Sequence, residues 1–352
     1  MTSLHEYHQQ HARDFLTIGG YSLPQRYRAH AEEYEAAMQA AMLDASFLGK
    51  LYVSGKDREA LLHRLTTNEM RKLPVGKSRV NVFTNVKGRV IARVEMLAEE
   101  QRYLLLTGAG QGATLRAWID KYTFIEEVKP IDATHALAVI ALFGEESATR
   151  LQDCLGVTTH GMAAGSFISQ LWQEHELIVH SPEAHSPAHF NLIISNTAAL
   201  KLWQTLLPAF TPIGYAAFET LRILQGIPMA GHEITEEHNP HEIGLYPLVN
   251  FEKGCYLGQE VVARLDTYQK VQRQLMGIKL EIDPEVAAGA TLFLEQQEIG
   301  KITSAAHARK GNGAIGLAIV RKQNAQPGTR VEARTSSGVV VHAALAALPF
   351  AD

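Results

Sequence analysis

The feature that most limits how this chain can fold is a change of pattern at Leu275. Beyond it, short β-type segments at Ile278–Ile282, Thr291–Leu294, Ile299–Thr303, Ala314–Val320, Arg330–Arg334 and Val339–Ala343 are punctuated by glycine and proline. That spacing predicts an all-β unit, a barrel or a jelly-roll-like sandwich. Ahead of Leu275 the pattern is mixed. Arg26–Met42 has helical composition with Pro24 near its start, and Asp57–Leu73 places Leu61, Leu62 and Leu65 on one helical face. Leu51–Val53 reads as a short strand, Val80–Asn85 and Arg89–Leu97 as a hairpin turning through Lys87-Gly88, Arg102–Thr107 as a third strand, and Gly112–Tyr122 as a helix. His135–Gly144 (strand) and Glu145–Leu155 (helix) open a second module. It continues through strands at Leu177–His180 and Phe190–Ser195 and helices at Thr197–Leu207 and Ala216–Gly226. The prediction is α+β followed by all-β, and 352 residues exceed one ordinary core, so two or three domains are expected.

Composition removes several function classes. A net charge of −4 gives no global pull toward nucleic acid. The two cysteines, Cys154 and Cys255, show neither disulfide-framework nor zinc-type spacing. Met1–Phe15 lacks the apolar core of a secretory signal, and the longest apolar run, Ala136–Phe143, is too short for a bilayer. A cytoplasmic protein without nucleic-acid or membrane partners is expected. Of the sixteen histidines, His5, His8 and His11 read as an exposed helix face. His180, His185 and His189 fall in a proline-rich loop, and His232, His238 and His241 precede the stretch discussed next. No metal site is predicted from any of them. Gly108-Ala109-Gly110-Gln111-Gly112 follows a strand and opens a helix, but its spacing is GxGxG, so a helix-capping turn is the expectation.

The chemistry concentrates in Lys253-Gly254-Cys255-Tyr256-Leu257-Gly258-Gln259-Glu260. Gly254 and Gly258 permit backbone angles closed to other residues and the close approach of a ligand to the main chain. Gln259 and Glu260 open a helix over Gly258–Leu265, where a carboxylate in the first turn suits the dipole. A thiol beside an ammonium and ahead of a helix start gains thiolate character, which makes Cys255 a candidate ligand or nucleophile. The same residues also fit a plain turn with a small packed cysteine and solvated charges. Downstream cations Arg264, Lys270, Arg273 and Lys279 against Asp266 give a local positive excess suited to an anionic ligand, or a solvated flank into the β unit.

The octapeptide resembles the Lys-Gly-Cys-(Phe/Tyr)-x-Gly-Gln-Glu signature of YgfZ-type proteins, folate-binding relatives of the glycine cleavage T protein that assist iron–sulfur cluster assembly or repair. Further matches are Glu219-Thr220-Leu221-Arg222 with Gly226-Ile227-Pro228, Asn239–Leu245, Ile299–Ser304, Gly316–Ile319 and, more weakly, Leu51 to Asn68. The resemblance implies two ferredoxin-like-type α+β domains and a C-terminal β-barrel around a central channel. The first domain is expected over residues 1–52 with 130–268, an inserted one over 53–129, and the barrel over 269–352. It also implies tetrahydrofolate as ligand, iron–sulfur client or assembly proteins as partners, and Gly254, Tyr256, Gly258, Gln259, Glu260 and Arg222 as candidate folate contacts beside Cys255; Lys253, Arg264 and Arg273 join them as cations suited to the carboxylates of a folate tail. Two departures matter. Where T proteins carry an aspartate after the hairpin turn that assists attack by the folate nitrogen, this chain has Ala92, followed by Arg93. The glutamate that would read the pterin is Leu224. The expected function is therefore a folate-linked accessory protein and not an enzyme of the aminomethyl step. A folate-dependent aminomethyl- or methyltransferase is the alternative, and a thiol or metal-binding scaffold without folate a second.

Overall fold

The computed structural model describes residues 3–159, 161–183, 188–281, 283–308 and 313–351. His185 and Ile282 lie outside these. The chain divides into two compact units, residues 1–83 with 92–218, and residues 84–91 with 219–352.

The first unit is mixed α/β. One sheet has the spatial order Ser166–Trp172, His175–Ser181, Phe190–Ser195, Leu137–Phe143, Ala41–Asp44 and Thr211–Pro212, antiparallel except for its last pair. Helices Ser147–Leu155 and Ala199–Leu206 contribute Leu151, Leu202, Trp203 and Leu206 to the core that covers it, against Ile140, Leu142, Val179 and Leu192. Each such side chain contributes about 1.5–3 kcal/mol on leaving water. The other sheet runs Ser78–Thr84, Val90–Ala98, Arg102–Ala109, Leu48–Ser54 and Lys129–Asp132.

Several sequence expectations needed correction here. The helix expected over Arg26–Met42 covers only His30–Gln39, with strands on both sides. Alanine content favours continuation, but Ala40 turns extended at φ −159° and carries Met42, fully buried, into the sheet. Burial of a strand outweighs a few tenths of a kcal/mol of propensity. The helix expected over Asp57–Leu73 stops at Leu65. There the Thr66 hydroxyl donates to the Leu62 carbonyl at 2.7 Å and Asn68 N–H donates to Asn81 Oδ1 at 2.7 Å, so short polar side chains compete with the helical ladder. His8 is not on an exposed face. It is 1% exposed, with Nδ1 2.7 Å from the Tyr27 hydroxyl and Nε2 3.0 Å from Asp44 Oδ2. Burial raises the Asp44 carboxyl, but the His8 contact and the hydrogen bonds from Ser46 together hold it below its ordinary value.

In the second unit, the closed barrel has the strand order Arg273–Leu280, Ala314–Arg321, Gln297–His307, Thr291–Leu294, Arg330–Arg334 and Val340–Ala346. Period-two alternation sends Met276, Ile278, Leu280, Ala318 and Val320 inward. A β-bulge between Ile302 and Ser304 lets strand 297–307 turn Ser304 toward the helix that ends at Leu224. No helix among the described residues is long and apolar enough to cross a membrane.

Candidate functional site

The octapeptide is a loop leading into helix Gln259–Thr267. Asn250 Oδ1 accepts the N–H groups of Glu252 and Lys253 at 2.9 and 3.1 Å, fixing the turn that delivers the motif. Lys253 and Tyr256 are buried, while Gly254 and Cys255 between them are exposed. The Lys253 ammonium sits 5.3 Å from the Tyr256 ring centroid, a cation–π distance. Burial pushes the Tyr256 phenol up to about 12, and its hydroxyl has no hydrogen-bond partner among the described residues. A buried donor left unpaired costs about 1–3 kcal/mol, which an acceptor brought to that hydroxyl would recover.

The glycine at 258 has a different duty from the one its sequence suggests. Its φ is +83°, and a Cβ there would stand 2.3 Å from the Asn85 carbonyl oxygen and 3.0 Å from Gly88. The close approach this position permits is by the chain's own hairpin tip. Residues 84–91 belong to the same compact unit and are bonded into it. The Thr84 hydroxyl donates to the Leu257 carbonyl at 2.5 Å, and Val90 N–H donates to the His238 carbonyl at 2.9 Å. Arg89 donates to the Glu237 carbonyl at 2.7 Å and approaches Glu242 at 3.5 Å. Burial raises the Glu242 carboxyl, but His238, the Asn239 N–H and Arg89 together hold it below the usual range. His241, whose ring meets the Val262 carbonyl at 3.1 Å, is pushed below its ordinary pKa by burial and packs with Tyr246 at 5.1 Å.

The remaining candidates occupy separate settings. Arg222 is 0% exposed and internal. Its Nε donates to Glu219 Oε2 at 2.7 Å and its Nη2 to Glu219 Oε1 and, at 2.7 Å, to Ser304 Oγ. Its Nη1 donates to the Ile227 carbonyl at 3.0 Å and faces Glu233 at 3.5 Å. These acceptors take up the guanidinium fork and tie the helix to the barrel. Glu233, fully buried and accepting the hydroxyls of Thr303 (2.5 Å) and Ser304 (2.6 Å), went unnoticed in the sequence. Only the i,i+3 spacing of Glu219 and Arg222 hinted at an ion pair. Arg264 pairs with Glu260 at 2.6 Å, both exposed, one helical turn apart. Arg273 begins the first barrel strand and lines a cleft on the barrel. Leu224 ends its helix half-buried, its carbonyl accepting Phe350 N–H at 2.8 Å. Ala92, 1% exposed, is packed inside the five-stranded sheet of the first unit. No group of three or more metal-type ligands occurs among the described residues.

A mixed α/β body whose chain then closes a six-stranded barrel defines the class of protein with the aminomethyltransferase fold. A crystal structure of the glycine cleavage system aminomethyltransferase T of Bartonella henselae superposes with a TM-score of 0.87 over 99% of this chain and 97% of that one, at 22% identity. Residues 4–253 match the GCVT N-terminal domain and residues 273–352 the glycine cleavage T-protein C-terminal barrel domain, and the chain belongs to this family. An aminomethyltransferase of Chlorobium limicola is 28% identical over 364 residues, covering 99% of this chain and 98% of the relative. A chloroplastic protein of Arabidopsis thaliana with a provisional transferase name is 30% identical over 300 residues, covering 82% and 67%.

Proposed function

We propose that this member of the family binds a reduced folate and serves iron–sulfur enzymes, as a YgfZ-type protein, through the exposed thiol of Cys255. The observation that carries the reading is the contrast within the motif. Lys253 and Tyr256 are buried and Gly258 is locked against the hairpin tip, yet Cys255 is exposed. A rigid loop that holds one thiol in solvent suits transfer or exchange chemistry with a partner protein better than it suits packing. Lys253 and the unpartnered Tyr256 hydroxyl offer a donor pair for the carboxylate or carbonyl of a folate, which when bound would supply a one-carbon acceptor. Ala92 carries no proton, so the group that aminomethyl transfer would need at that position is missing. A cytoplasmic location goes with this reading, and the three-domain arrangement about a central channel belongs to the same proposal.

The test pairs Cys255→Ser with a strain lacking the gene. The variant is expected to keep the wild-type melting curve and fail to restore iron–sulfur enzyme activity; full rescue would reduce Cys255 to a packing residue. Calorimetry with tetrahydrofolate is expected to show saturable heat, and none at millimolar ligand would leave the scaffold reading without folate. The second reading, a working aminomethyltransferase, is favoured by relatives that carry that name. Turnover with lipoylated carrier protein, tetrahydrofolate and ammonia at the rate of a true T protein would establish it. We expect that assay to be blank.

A further inference from the structure

The barrel carries a second constellation, which shares only Arg273 with the candidate folate contacts named from the sequence. Arg273 and Arg321 stand directly opposite each other on neighbouring antiparallel strands. Lys301 pairs with Ile319 on the next strand, which places it diagonal to Arg321 on the same face. Three permanent cations therefore share one outer face of three adjoining strands, all of them exposed. None lies within 4.0 Å of a carboxylate among the described residues. Like charges directly opposed across a strand pair weaken it, and the described residues of the barrel supply no ion-pair partner to offset that. The three residues line a cavity of about 440 Å³, within the range of small-molecule sites.

The Gly231–His238 segment of the same unit also lines it. Thr235 and His232 contribute polar groups, and His238, 6% exposed, has an Nδ1 that makes no hydrogen bond and stands 3.9 Å from the nearest Glu242 oxygen. Two exposed carboxylates, Glu237 and Glu298, also line it, so three cations face two anions. Lys322, with Arg273 and Arg321, lines an adjoining cavity of about 470 Å³ and extends the positive side. Arginine forks match planar or tetrahedral oxyanions in a way that a lone ammonium does not.

We propose that this cleft binds a small oxyanion of two or more negative charges, a phosphate ester or a di- or tricarboxylate, through Arg273, Arg321 and Lys301. Charge at this site comes from the local strands, because the chain as a whole is acidic, and the proposal stands whether or not folate binds at the motif. The experiment uses the full chain at constant ionic strength held with sodium chloride, titrated with pyrophosphate in one arm and citrate in the other. Calorimetry and thermal melting are expected to show saturable binding and a higher melting temperature in at least one arm. Saturation by pyrophosphate alone assigns the phosphate class and saturation by citrate alone the carboxylate class. Arg321→Gln and Lys301→Gln are each expected to weaken binding at least tenfold. Arg321→Gln is also expected to melt no lower than wild type without ligand, since it removes a repulsion. No saturable heat beyond the chloride control in either arm, or unchanged affinity in both variants, overturns the proposal.

Discussion

Replacing Arg222 by methionine separates a structural from a ligand-binding role for the most deeply buried cation of the second unit. The guanidinium serves two carboxylates, a hydroxyl and a carbonyl from inside the protein. Breaking a buried ion pair by removing one partner costs about 3–5 kcal/mol because the other charge stays behind. Glu233 keeps the hydroxyls of Thr303 and Ser304 and the Met229 N–H at 3.0 Å, whereas Glu219 loses both of its arginine bonds. A loss of about 4 kcal/mol follows, in the middle of that range. Tryptophan fluorescence would miss it, since Trp118, Trp172 and Trp203 all belong to the first unit. Hydrogen exchange at Ile302 and its neighbours in barrel strand 297–307 reports the right unit. Their protection should fall on the order of a thousandfold. If exchange instead changes less than tenfold while the heat of tetrahydrofolate binding disappears, the structural assignment is wrong and Arg222 contacts the ligand.

Gly258→Ala should destabilise the second unit by about 2–3 kcal/mol, the sum of a left-handed alanine and the loss of the Thr84–Leu257 bond as the Asn85 carbonyl is displaced; a change under 0.5 kcal/mol in urea unfolding would mean that the hairpin tip moves freely. Lys50 is 0% exposed, donates to the Ser46 carbonyl at 2.7 Å, and is lowered by burial to about 8 from 10.5. Between those values the unfolded chain binds more protons, so stability should climb with rising pH by about 3 kcal/mol. Lys50→Met should lack that climb, and parallel stability profiles for the two proteins from pH 8 to 10.5 would contradict the assignment.

Patterns that repeat locally were legible. The six β segments after Leu275 became the barrel strands, because alternation there reflects one buried face along each strand. The hairpin around Lys87-Gly88 and the helices at Gly112–Lys121 and Ala199–Leu206 also followed from local signals. What failed was decided by distant residues. Strand Ser166–Trp172 alternates poorly, with Ser169 and Gln170 among its residues, and is held by full pairing to His175–Ser181. His8 looked solvated because its partners Asp44 and Tyr27 lie 36 and 19 positions away. Glu233 pairs with a hydroxyl 71 positions on, and nothing in the neighbouring sequence announces it.

The motif shows the same division between what is local and what is not. Residue types in the octapeptide singled it out as a candidate site, but the reason for its second glycine lay 173 positions upstream, in the carbonyl of Asn85. Asn85 in turn caps its own turn, with Oδ1 accepting from Lys87 and Arg89 at 2.9 and 3.1 Å. Arg89 and Val90 then bond to the 237–242 segment, whose His241 ring reaches back to the Val262 carbonyl in the motif helix. Hairpin tip, Asn239–Leu245 segment and motif loop thus close a ring of hydrogen bonds inside one compact unit. Two stretches that resembled the family separately in sequence, the octapeptide and Asn239–Leu245, are joined in space through the hairpin tip. These bonds, with the Asn250 turn, position a loop whose Gly254 and Cys255 stay exposed, so the thiol is presented without being buried.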